Sequence, residues 1–284
     1  MRGIWSVAAL VTLAACGTAP AVTAHPERYQ ADGTVLSDAR HGPQLCSFVA
    51  QSLPPQCGGP DILGWDWNAV EHSARGGVRW GEYHVVGAWD GTRLTLTEPP
   101  RAAERRDAPP ERSGPTTRCP EPAGGWRPVD PAKATSRAME AAIEKARKLP
   151  GYAEAALDQS YLEEIEGYQP DDVRSVERYA NDPKRLVLNL WFTGDATARE
   201  AEIREIWGGA LCLNSAQRTE AELRALQERV WKEMKGVQSA SADGRTGQVT
   251  IGVWVVTPEL QREVDEKYGK GVVVLEGFLK PVVS

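Results

Sequence analysis

The sequence predicts an α+β protein: a small antiparallel β domain, barrel or sandwich, followed by an α+β sandwich with helices on one face of a mixed sheet. Three observations carry this prediction. Apolar and polar residues alternate on both sides of Asp90-Gly91, as in a half-buried hairpin. After Cys119 the apolar period becomes helical. Between the two lies a run over 98–118 that mixes prolines with alternating charges, such as Arg105, Asp107 and Glu111, and holds almost no large apolar residue. Such a run cannot build a core and reads as a linker over 100–118.

The chain starts with one early positive charge, Arg2, and an apolar stretch over 4–15 broken only by Ser6 and Thr12. That is too short to span a bilayer and reads as a signal peptide, residues 1–15. It closes on Leu13-Ala14-Ala15-Cys16, which resembles the lipobox of bacterial lipoproteins. The resemblance implies that the Cys16 thiol receives a lipid, palmitate among the acyl groups, and becomes the N-terminus after cleavage. It further implies a protein anchored by lipid to the extracytoplasmic face of the cell membrane. An ordinary signal peptide cut at a nearby Ala-x-Ala step would instead discard Cys16 or leave it as a spare thiol. Frequent Ala, Gly, Arg and Pro with little Phe and Met resembles the composition of secreted lipoproteins of high-GC Gram-positive bacteria. Residues 16–40 are small and polar without a sustained apolar period, and read as a tether.

A chain of 284 residues has room for a core without help from metals, and two domains are expected. Removing residues 1–15 takes away one Arg, leaving 32 basic against 39 acidic side chains and a formal charge of −7. That balance disfavours nucleic acid and offers anionic lipid no polybasic patch, so the lipid alone is the expected membrane contact. Five cysteines is an odd number for an exported protein. Assigning Cys16 to lipid leaves four, and of the three possible connectivities Cys46–Cys57 with Cys119–Cys212 respects the proline-rich break. None of the four sits in a Cys-x-x-Cys spacing and no histidine follows His84, so neither a metal nor a cofactor is expected.

Residues 41–99 read as the small β domain. A type I′ turn at Asp90-Gly91 would pair Val85 with Leu96, Gly87 with Leu94 and Trp89 with Thr92. Tyr83, Val85, Trp89, Leu94 and Leu96 then share a core face, and Glu82, His84, Val86, Arg93, Thr95 and Thr97 a face that is mostly solvent. Further strands are expected over 62–67 and 78–80, and an OB-like barrel is one closure of such a set.

Residues 119–284 read as the α+β domain. Asp130-Pro131 is expected to start a helix that Pro150-Gly151 stops, followed by a second helix over 153–165. A strand over 184–193 follows, then a helix capped by Asp195, then a short strand over 210–213 holding Cys212. Thr219 and Glu222 form a capping box ahead of a helix with Leu223, Leu226, Val230 and Met234 on one stripe. The end of the chain reads as a ββαβ unit whose last two strands are parallel, with Thr257-Pro258 opening its helix. The order fits a ferredoxin-like sandwich. The last forty or so residues also resemble, in pattern, the hairpin, helix and strand of secreted serine-protease pro-regions.

The functional candidates are few. With no histidine beyond His84 and no Gly-x-Ser-x-Gly elbow, nucleophilic hydrolysis lacks its parts, and His84 reads as a surface residue. Glu163, Glu164, Glu166, Asp171 and Asp172 are the densest carboxylates, the kind a cell-wall glycan hydrolase would need in facing pairs. Gly269-Lys270-Gly271 follows a helix and opens a strand, the reverse of a phosphate loop. Of ten tryptophans, Trp65, Trp67, Trp80 and Trp89 lie close in sequence and could stack on sugar rings or fill the β-domain core. The expected function is therefore a non-catalytic binding or assembly module, its partner a cell-wall polymer or another envelope protein. A glycan hydrolase, or a protease-inhibitor-like or chaperone-like module, are the alternatives.

Overall fold

A computed structural model describes residues 27–103 and 117–282, and the fold is α+β. The signal peptide, Cys16 and most of the proline-rich run lie outside the described residues.

The first sheet is built around two long antiparallel strands, β1 (Arg28–Ser37) and, further on, the twelve-residue Val78–Trp89. Strand β1 corrects the reading of residues 16–40 as tether. Tyr29, Ala31 and Val35 face the core, but Gly33 leaves that face without a side chain and Leu36 places an apolar residue on the other, which hides the strand from a period count. Short strands follow: β2 (Gln44–Cys46) on the edge of β1, β3 (Ile62–Leu63) and β4 (Ser73–Arg75). The central strand β5 (Val78–Trp89) then pairs with β4, with β6 (Leu94–Leu96) and with β7 (Arg101–Ala102).

The hairpin forms with its register moved by two residues. Trp89 pairs with Leu94 and Gly87 with Leu96, so the loop holds four residues, Asp90 to Arg93. The Asp90 carboxylate accepts the N–H groups of Thr92 at 2.9 Å and Arg93 at 2.7 Å, which favours the wider turn over a two-residue one. A shift of two preserves side-chain parity, so Tyr83, Val85 and Leu94 still fill the core with Trp89 and Leu96 beside them.

The second part repeats one order twice. In the first unit α1 (Ser136–Lys148) leads to β8 (Tyr152–Asp158), which pairs antiparallel with β9 (Val187–Thr193). A 3-10 turn and α2 (Val173–Tyr179) are inserted between these strands. The short α3 (Glu200–Arg204) then crosses to β10 (Ala210–Ala216), parallel to β9. Thr135, rather than Asp130, caps α1. The helix expected over 153–165 is instead strand β8 and the 3-10 turn. Ala, Glu and Leu there favour a helix, but pairing along β9 outweighs a propensity of only a few tenths of a kcal/mol per residue, about 0.7 at most.

The second unit has α4 (Glu220–Glu233), the hairpin β11 (Ser239–Asp243) and β12 (Gln248–Val253), α5 (Pro258–Tyr268), and β13 (Val273–Gly277) parallel to β12. Thr219 and Glu222 form the reciprocal capping box, and Thr257 caps α5 ahead of Pro258. The ββαβ order read at the chain's end is thus present in both units, each preceded by a helix. The two units carry separate three-stranded sheets and separate cores, which replaces the single mixed, ferredoxin-like sheet expected.

The chain then returns to the first sheet. Strand β14 (Lys280–Pro281) pairs with β1 at Gln30 and Tyr29. Trp254, Val255, Phe278 and the fully buried Leu279 pack into the core formed by Tyr29, Val35, Val85 and Leu94. The N–H groups of Phe278 and Leu279 donate to Val253 and Trp254 carbonyls at 2.8 Å, fixing that return. The β module is therefore completed by the far end of the chain.

Candidate functional site

Both disulfides have the expected partners, Cys46–Cys57 and Cys119–Cys212. The second ties the segment after the proline-rich run to strand β10, where Trp126 packs beside it. The first closes the neck of the loop 47–56.

The tryptophan group does not lie on one strand. Strand β3 ends at Leu63, and Trp67 opens a 3-10 turn capped by Asp66, whose carboxylate accepts the Asn68 N–H. Trp67 is buried, and Trp65 meets it edge-to-face at 5.3 Å and Tyr83 at 4.9 Å. Trp89 leans on Trp254 at 6.2 Å, and Trp80 lies on the opposite face of β5, across from Leu36. The rings of Trp65, Trp67 and Trp89 thus contact other aromatic and core residues. The buried indole N–H groups of Trp65 and Trp67 have no acceptor among the described residues, a cost this core carries.

His84 is buried, which corrects its reading as a surface residue. It sits on the central strand, with Asp32 its partner on β1 and Arg101 on β7, and its Nδ1 lies 2.7 Å from an Asp32 carboxylate oxygen. Thr34 donates to Glu82 in the next cross-strand pair, and Leu36 and Val86 are also buried on this second face. Glu82, Arg93, Thr95 and Thr97 are exposed, so the face is mostly solvent as expected, with His84 and Val86 as its buried members.

Two of the concave sites among the described residues lie between separate parts of the fold. The first, about 340 Å³, lies where the two repeated units meet, lined by Arg147, Tyr152, Glu154, Glu220, Arg224 and Gly244 among others. Glu154 accepts the Gly244 N–H at 2.7 Å and pairs with Arg245 at 3.3 Å. Burial raises its pKa, with Asp243 adding to the rise and Arg245 opposing it. At Asp243 burial also raises the value, but hydrogen bonds from the Arg245 side chain and backbone outweigh it, and the net shift is downward. Arg224 pairs with Glu220 and Arg147 with Glu144. Of these pairs, Glu154 with Gly244 and Arg245 crosses between the units, and the other two lie within α4 and α1.

The second site, about 350 Å³, is a groove between the stapled loop and the second unit's sheet, lined by Ser47, Phe48, Gln238, Ser239, Gly252 and Phe278 among others. Phe48 is 77 % exposed at its rim, and Leu53 at the loop's far turn is 66 % exposed. The loop is held from below: Gly59 passes so close to the Leu45 carbonyl that no Cβ fits there. No family model, curated protein or solved structure gives a significant match to this chain.

Glu163, Glu164, Glu166, Asp171 and Asp172 lie on and between the inserted 3-10 turn and α2. Asp172 caps α2, and Glu164 is 3.8 Å from Arg185. Among the described residues no cluster of His, Cys, Asp and Glu could hold a metal ion, and no helix is long and apolar enough to cross a membrane. Sequence reasoning missed the exposed Phe48 and Leu53. The signal was present: positions 42–60 carry no Asp, Glu, Lys or Arg in a chain of which 25 % is charged.

Proposed function

We propose that this chain is a lipoprotein anchored through Cys16 to the extracytoplasmic face of the cell membrane, where it acts as a non-catalytic binding or assembly module. The supporting observation is the cysteine pairing. Cys46–Cys57 and Cys119–Cys212 use four of the five cysteines, and the one left over is Cys16, directly after Leu13-Ala14-Ala15. Disulfides persist in oxidising compartments, so pairing and signal point to the same address. The partner is a cell-wall polymer or another envelope protein, met by a body in which the β module and the end of the second repeated unit share a core.

The test is Cys16→Ser with cell fractionation and in-cell crosslinking. The wild type is expected in the membrane fraction with a defined crosslinked partner, and the variant in the soluble extracytoplasmic fraction. A variant that still fractionates with membranes would refute the anchor. Turnover of a wall glycan by the purified protein would refute the non-catalytic reading.

A further inference from the structure

We propose that the disulfide-stapled loop between Cys46 and Cys57 is a second membrane contact, which seats Phe48 and Leu53 in the headgroup region of the bilayer that holds the anchor. This rests on the Cys16 reading above and extends it, since composition alone assigns the membrane contact to the lipid.

Three features of the loop carry the proposal. The first is charge: residues 42–60 contain no ionised side chain, whereas the chain as a whole is 25 % charged. A surface loop of an acidic soluble domain has no need of such depletion, while a surface entering a low-dielectric layer does. The second is shape. Phe48 and Leu53 are the two large apolar side chains that the stapled loop exposes, at 77 % and 66 %, with Ala50, Gln51 and Ser52 exposed between them. The loop meets part of its own hydrogen-bonding need, since the Ala50 N–H donates to Gln56, the Ser52 N–H to Ala50 and the Ser52 hydroxyl to Pro54. Backbone near hydrocarbon must be satisfied in this way.

The third is reach. Strand β2 leaves the sheet where Cys46 pairs with Thr34, so the loop departs about six residues along β1 from Arg28, roughly 20 Å. Eleven residues separate Cys16 from Arg28, a maximal span of about 40 Å. The anchor and the loop can therefore occupy one leaflet at once. One attachment raises the local concentration for the other. The formal charge of −7 on the mature chain favours a neutral membrane surface over an anionic one.

The experiment uses the full mature protein, isolated from membranes and reconstituted in phosphatidylcholine vesicles. The mass of its N-terminal peptide is read alongside hydrogen exchange of residues 47–56. The expected result is an acylated Cys16 and exchange slowed about tenfold or more in the loop on vesicles relative to detergent-free, lipid-free Cys16→Ser protein. Phe48→Ser with Leu53→Ser should abolish the slowing while leaving the disulfide map unchanged. Val173→Ser, at an exposed apolar residue of α2, should leave the slowing intact. An acylated protein whose loop exchanges equally fast with and without vesicles would overturn the docking alone. An unacylated Cys16 would overturn the anchor and the docking together. Protection seen only in native membranes, with a protein crosslinked to the loop, would overturn the lipid surface in favour of a protein partner.

Discussion

Leu279→Ala probes the claim that the end of the chain completes the first sheet. By sequence Leu279 belongs to the second repeated unit; by contact it is 1 % exposed among Tyr29, Val35, Val85 and Leu94. Deleting a leucine from such a site costs about 2–5 kcal/mol, the transfer free energy plus the cavity left behind. Taking about 3 kcal/mol, and about 2–4 °C per kcal/mol for a chain of this size, the melting midpoint should fall by about 6–12 °C. Hydrogen exchange locates the loss. Amides of β1 and β5 that exchange through the opening of this core should speed up by about two orders of magnitude, together with those of β12 and β13. Faster exchange confined to residues 239–282, with β1 and β5 unchanged, would show two independent domains and refute the shared core.

Three further outcomes follow from local chemistry. The Asp90 carboxyl is pulled down to about 2, first by the Thr92 N–H and then by that of Arg93. The stability it lends is present above the ordinary carboxylate value of about 4 and is lost as pH falls through about 2. Asp90→Asn should therefore flatten the decline of melting midpoint between pH 5 and pH 2, and an unchanged slope would contradict the cap. Thr219→Ala removes the acceptor for the Glu222 N–H and should cost about 1 kcal/mol in urea unfolding, with no change in the slope against denaturant. A Cβ at Gly244 would meet the Ala153 carbonyl at 2.5 Å, so Gly244→Ala should part the two units and quicken proteolysis near residue 244, whereas Gly42→Ala, in open space, should not.

How far the sequence discloses this fold depends on the range of the interaction. Signals that act within a few residues read correctly: the capping box at Thr219 and Glu222, the Thr257-Pro258 helix start, and the faces of the Asp90 hairpin. The disulfides are legible because an exported chain with Cys16 set aside for lipid has four cysteines and three connectivities, one of which respects the proline-rich break. Strand β1 was not legible, because Gly33 and Leu36 break its alternation and its pairing partner lies about fifty residues on. Strand β8 was hidden by helix-favouring Ala and Glu, overruled by β9. The burial of His84 and the insertion of Leu279 both depend on strands far apart in sequence. No period count reports such contacts. The repeat of helix, hairpin, helix and strand was visible only in its second copy, because the first is split by the inserted α2. Phe48 and Leu53 were legible as a gap in charge, yet only the fold shows that they point outward.

The proposed lipoprotein uses Cys16 for lipid and the other four cysteines for two staples. Intact and peptide mass measurement of the protein isolated from cell membranes tests both halves at once. The expected mature chain begins at acylated Cys16, with Cys46 linked to Cys57 and Cys119 to Cys212. A mature N-terminus elsewhere, or a Cys16 without lipid or joined to another cysteine, would contradict it.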